Sequence, residues 1–178
     1  MKKIFRELLG WIVYILIIVG LTYLIITFVG QRTMVSGSSM ETTLSNGDQL
    51  IVDKISYRFT DPKRYDIIVF PYQYEDNTYY IKRIIGLPGE TVQIVDGYVY
   101  IDGQQLDEHY GNAVMEEAGL AAEPIKLGDD EYFVLGDNRN NSQDSRAANV
   151  GVIHRRDILG RAWVRIWPLD RFGVIRHE

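Results

Sequence analysis

Cysteine is absent from the 178-residue chain, which excludes disulfides, thiolate nucleophiles and cysteine-ligated metals. Histidine is scarce. His109, His154 and His177 stand too far apart to give a metal-ligand spacing, and His109 and His154 read as solvated loop residues. No cofactor and no metal are expected. Basic excess is missing as well: the formal net charge is −5, without the clustered Lys and Arg that a phosphate backbone demands, so no nucleic-acid partner is expected. No internal repeat or low-complexity run is visible.

What is present is unevenly spread. Residues 8–29 carry no charge at all. As a helix with a rise of ~1.5 Å per residue, that run reaches roughly 33 Å, enough to cross a bilayer core. A cleaved leader has a shorter apolar core, about 7–15 residues, followed by small residues. Here Gln31-Arg32-Thr33-Met34 follows instead. Lys2, Lys3 and Arg6 precede the run, against Arg32 just after it, which predicts an inside amino terminus. The expected organisation is therefore a cytoplasmic tail at 1–7, a transmembrane helix at 8–29 and an extracytoplasmic domain at 30–178.

The outer part reads as short strands broken by turns. Residues 49–54, 66–70, 78–85, 131–135 and 160–167 have strand composition, and Asn46-Gly47-Asp48 and Asp61-Pro62 are turn signals. The clearest hairpin joins residues 91–95 to 98–101 through Asp96-Gly97, a pair suited to two positive backbone dihedrals. Residues 107–127 are acidic and weakly patterned, a surface excursion with room for one short helix. The expected class is mainly β, closed or partly closed, with little helix beyond the membrane segment.

Three serines stand in the stretch Ser36-Gly37-Ser38-Ser39-Met40-Glu41-Thr42-Thr43-Leu44. Without a cysteine or a usable histidine, a lysine is one of the known bases for a nucleophilic serine, provided that it is uncharged. In residues 78–85, period two puts Tyr80, Lys82 and Ile84 on one face, where burial would lower the lysine's pKa. Snorkelling of Lys82 to solvent is the plainer alternative. Arg83 cannot act as a base, because a guanidinium stays protonated. The loop Gly136-Asp137-Asn138-Arg139-Asn140-Asn141-Ser142-Gln143-Asp144-Ser145-Arg146 either satisfies its own backbone or orients the amine, with Asp144 pairing Arg146.

These two stretches, together with Gly47-Asp48-Gln49-Leu50-Ile51-Val52-Asp53-Lys54, Tyr80-Ile81-Lys82-Arg83-Ile84-Ile85-Gly86-Leu87-Pro88-Gly89-Glu90 and Gly160-Arg161-Ala162, occur in order behind the apolar run. The set resembles the bacterial type I signal peptidases, membrane-bound Ser–Lys endopeptidases that remove signal peptides from exported proteins. A single span and a compact outer domain look like the short enzymes of Gram-positive bacteria. The resemblance implies a signal-peptidase/LexA-like β-barrel-type catalytic domain and cleavage at small-x-small sites. It implies signal-peptide-bearing preproteins as substrates, membrane lipid as surroundings and the export machinery nearby.

Residue by residue, the resemblance makes Ser39 the nucleophile and Lys82 the general base. Ser142 matches the serine that bonds the lysine, Asp144 and Arg146 the stabilising pair, and Asp137 a structural acid. Val35, Met40, Leu44, Tyr80 and Ile81 would line the pocket nearest the cut; Val35, Leu50 and Ile81 would form a second. Apart from the resemblance, Trp163, Trp167 and Leu169 either rest near the outer lipid surface or are ordinary core residues. Three departures stand out. Thr42 replaces a usual proline, and Ala147-Ala148-Asn149-Val150 replaces an aromatic pair. Gly37 sits where some members carry a serine that donates to the oxyanion. The competing reading is a catalytically inactive, membrane-tethered binding or scaffold domain, which would need no neutral lysine.

Overall fold

The computed structural model describes residues 2–24 and 30–177. The amino-terminal helix α1, Lys2–Leu24, runs straight through the basic residues expected to form a separate tail. Its stretch Arg6–Leu24 is long and apolar enough to cross a membrane and is unburied by the rest of the chain. An all-round apolar surface with no protein partner is what a lipid-facing helix presents. The remainder of the expected span, residues 25–29, lies outside the described residues.

Among the described residues, twelve strands follow: β1 Gly30–Met34, β2 Gln49–Asp53, β3 Ile67–Pro71, β4 Tyr79–Gly86, β5 Thr91–Val95, β6 Tyr98–Ile101, β7 Gln104–Gln105, β8 Ile125–Lys126, β9 Glu131–Leu135, β10 Ile153–His154, β11 Gly160–Trp167 and β12 Gly173–Val174. The mainly β expectation holds, and each longer strand except β1, for which no strand was expected, falls within a residue or two of its expected place. Pro71 closes β3 as its last residue rather than standing beyond it. At the β5–β6 turn Asp96 and Gly97 take φ of 49° and 80°, the two positive dihedrals that the Asp-Gly pair foretold.

One sheet runs in the order β1-β2-β11-β3-β4-β9-β10, with β12 paired to β11; a smaller sheet runs β7-β6-β5-β8. The pairings are antiparallel, and several of them, β2–β11, β11–β3 and β4–β9, join strands far apart in the chain. Strand β4 lies in the interior of the large sheet, with β3 on one side and β9 on the other. Its residues Lys82, Arg83, Ile84, Ile85 and Gly86 are all buried. Ile68 stands opposite Lys82 and Ile67 opposite Arg83 in the β3–β4 register.

Three apolar clusters fill the interior. Val35, Met40, Leu44, Leu50, Ile67, Ala162 and Ile175 pack beneath the 36–44 stretch. Ile68, Phe70, Ile84, Tyr132 and Val134 fill the other face of β3, β4 and β9. A third cluster sits under the small sheet and takes in Met115, Ala121 and Leu127. The 107–127 excursion is thus packed down by its own apolar residues, and Glu108 within it forms a two-point ion pair with the buried Arg139 (2.5 and 2.6 Å). Weak periodicity concealed this, because isolated apolar anchors in an irregular segment leave no pattern.

Candidate active site

Residues 36–44 form a turn that leaves β1 and lies across the edge of β4. Gly37 makes the turn possible, with φ of 96°, a conformation that L side chains rarely adopt. Val35 donates to the Asp48 carbonyl (2.8 Å) and Gly47 to the Val35 carbonyl (2.9 Å), tying the turn to the 46–48 corner. Apolar anchors at Val35, Met40 and Leu44 then pin it from below.

The turn brings Ser39 to Lys82, whose Nζ donates to Ser39 Oγ at 2.8 Å and to the Ile81 carbonyl at 2.9 Å. Lys82 is only 4% exposed, so it is withdrawn from solvent rather than snorkelling. Its Nζ lies 5.0 Å from the centre of the Tyr80 ring, the aromatic neighbour expected on that face. Burial is the main influence on the amine and lowers its pKa to about 8; the Asp144 and Asp137 carboxylates pull weakly the other way. About a tenth of such lysines are neutral at pH 7, several hundred times the fraction for a solvated lysine. A neutral amine at this distance has a lone pair that can accept a hydrogen bond from the Ser39 hydroxyl.

Asp137, Asp144 and Arg146 are buried or nearly so and form two rivets beneath the pair. Arg83, fully buried beside Lys82 in sequence, clasps Asp137 through Nε (2.8 Å) and Nη2 (2.7 Å), and the Thr43 hydroxyl donates to the same carboxylate (2.5 Å). Arg146 clasps Asp144 (2.8 and 2.9 Å), and Asp144 also accepts the Gly136 amide (3.0 Å). The Asp144–Arg146 pair was legible; the Arg83–Asp137 pair was not, since its partners lie 54 residues apart.

Ser142 departs from expectation. Its hydroxyl is buried without a hydrogen-bond partner among the described residues, and Lys82 donates to Ser39 and Ile81 instead. Ser142 is packed against Gly136 so closely that a Cβ on that glycine would lie 2.2 Å from Ser142 Oγ and 2.5 Å from the Ser39 carbonyl oxygen. Sequence reasoning also missed the loop's asparagines. Asn138 donates its amide to the Ser39 carbonyl (3.0 Å) and its side chain to the Ser38 carbonyl (3.1 Å), while Asn141 Nδ2 donates to Ser38 Oγ (2.8 Å). These asparagines serve the serine turn rather than their own loop.

A cleft of about 340 Å³ opens over Ser39 and Lys82, walled by Val35, Gly37, Met40, Tyr80 and Ile81 with Asn141 and Gln143. Leu44 and Leu50 do not reach it. Both are fully buried in the cluster below, where they support Val35 and Met40, because the turn folds its leucine inward and β2 faces Leu50 to the core. The Tyr80 hydroxyl donates to Gln143 Oε1 (2.8 Å) across one end of the cleft. At the altered 147–150 segment, Val150 packs on the β3–β4–β9 cluster and Asn149 donates to the Tyr72 hydroxyl (2.9 Å). No cluster of ligating side chains exists among the described residues.

This constellation lies inside a stretch, residues 8–167, that matches the family model for signal peptidase, peptidase S26. The chain belongs to the peptidase S26 family. It is similar to the probable signal peptidase I-2 of Synechocystis sp., with 44% identity over 159 residues, 85% of this chain and 70% of that one. A signal peptidase I from Leptolyngbya laminosa is 45% identical over 84% of this chain and 74% of its own length. Signal peptidase I P of Bacillus subtilis subsp. natto is 38% identical over 99% of this chain and 96% of that one. Membership in S26 makes the chain a serine endopeptidase of the signal peptidase I type.

Proposed function

We propose that Ser39 and Lys82 form the catalytic dyad of this S26 peptidase and that it cuts exported preproteins after small-x-small sequences. The observation that carries the assignment is the 2.8 Å contact between Ser39 Oγ and a lysine whose burial lowers its pKa to about 8. Neutral Lys82 takes the Ser39 proton as the hydroxyl attacks the scissile carbonyl, and the resulting ammonium protonates the leaving amine. Water then attacks the acyl-enzyme with Lys82 again as base, and Ser39 regains its proton.

The cleft supports the substrate class. An extended segment laid between residues 33–36 and β4 would drop alternate side chains toward Val35, Met40 and Ile81, apolar walls suited to small groups. The helix α1 would hold the chain in the cell membrane with its amino terminus in the cytoplasm and residues 30–178 outside, as the basic residues before the span favour. There the domain would meet preproteins beside the export machinery while their signal segments are still in lipid. Trp163, Trp167 and Leu169, all about half exposed or more, are suited to the outer lipid surface.

The test is cleavage of a precursor with alanine at the first and third positions before the cut, by the full chain in detergent. Ser39→Ala and Lys82→Ala should each abolish cleavage with the fold retained. Full turnover by the Lys82 variant would refute the base, and activity in both would refute the dyad.

A further inference from the structure

An oxyanion formed on the scissile carbonyl needs preorganised donors, and two are the usual minimum. The Ser39 amide is one, since no acceptor takes its hydrogen among the described residues. Gly37 is not the other. It has no side chain, and its amide is already donated to Asn46 Oδ1 at 2.9 Å.

Ser38 stands next in line. It lines the same cleft as Ser39 and Lys82. Bond lengths and angles keep a serine Oγ within roughly 3–4 Å of the amide that follows it, so this hydroxyl and the Ser39 N–H can converge on one atom. Asn141 governs what the hydroxyl does. Its Nδ2 donates to Ser38 Oγ at 2.8 Å, filling one lone pair. A hydroxyl offers one donor and two acceptor sites, so its own O–H is left free to donate, and accepting a bond strengthens that donation. The Ser38 carbonyl is fixed in turn by Asn138 Nδ2 and the Glu41 amide, both at 3.1 Å.

We propose that Ser38 is a further catalytic residue, its hydroxyl being the second donor to the oxyanion, and that Asn141 is the positioning residue that orients it. The inference rests on Ser39 as nucleophile and Lys82 as base. No bond to Ser38 forms or breaks. Its proton stays in place while the hydrogen bond strengthens as the carbonyl becomes tetrahedral.

Steady-state kinetics of the full chain in detergent test this, with the alanine-bearing precursor. Ser38→Ala should lower kcat about 30-fold or more and leave KM within about threefold, the pattern of a lost transition-state contact. Ser38→Thr keeps the hydroxyl and should recover most of the rate. Asn141→Ala should cost less than Ser38→Ala and add nothing to it in the double variant. The pH profile of Ser38→Ala should keep its rising limb, because Lys82 is untouched. A kcat for Ser38→Ala within about twofold of the native value would overturn the proposal, as would multiplying losses in the double variant or a displaced limb. Ser39→Ala is the control: residual turnover there would fault the nucleophile assignment instead.

Discussion

Lys82→Met probes the energetic cost of the buried amine directly. The ammonium's pKa falls from its ordinary 10.5 to about 8 on folding. Below pH 8 both folded and unfolded chains carry the proton, and the folded state bears a cost of about 3 kcal/mol. Methionine has similar length and no charge, so the substitution removes that cost. It also strips the Ile81 carbonyl of a donor, worth about 1 kcal/mol. A net gain of about 2 kcal/mol at pH 7 should raise the Tm by roughly 4–8 °C while cleavage is abolished. Between pH 8 and 10.5 the unfolded native chain binds more protons than the folded one, so native stability rises and the variant's lead shrinks. Above 10.5 the lead should be gone. Thermal unfolding of both full chains in detergent, from pH 6 to 11, checks this. A variant less stable at pH 7, or a lead constant across that range, would refute the claim that Lys82 is a desolvated base.

The pH dependence of cleavage should follow the same group, with kcat/KM rising as Lys82 deprotonates and levelling above about pH 8; a flat profile would count against lysine as base. Arg83→Met strands the buried Asp137 carboxylate and should cost about 3–5 kcal/mol in thermal unfolding, much of it recovered by adding Asp137→Leu. Gly136→Ala forces a methyl against Ser142 and the Ser39 carbonyl, so precursor cleavage should fall at least about tenfold, out of proportion to any change in Tm. Ser142→Ala removes a buried hydroxyl that has no partner and should stabilise the chain by about 1 kcal/mol, while impairing cleavage less than Lys82→Ala.

Local signals carried most of the fold. Period-two patterning placed the strands, Asp96-Gly97 placed a hairpin, and a charge-free run of 22 residues marked α1. Alternation put Tyr80 beside Lys82 but left snorkelling open, and the role of base came from the resemblance. Contacts between distant segments were not. Nothing near Arg83 announces that Asp137 will neutralise it, and nothing near Asn138 or Asn141 points to a serine turn about 100 residues earlier. Leu44 and Leu50 look alike as apolar cleft candidates until three-dimensional packing turns them inward. Ser142 was assigned to the lysine by resemblance, and its hydroxyl is buried beside Gly136 without a hydrogen-bond partner among the described residues.

Lys82 and Arg83 are sequence neighbours on opposite faces of β4, one in contact with Ser39 Oγ and the other with the Asp137 carboxylate. A shift of this strand by a single position would exchange them, leaving a permanent cation against Ser39 and a compact ammonium facing Asp137. Insertions and deletions within residues 79–86 should therefore be far less tolerated than substitutions there. The spacing of two adjacent side chains, rather than the identity of either, is what couples folding of this sheet to its chemistry.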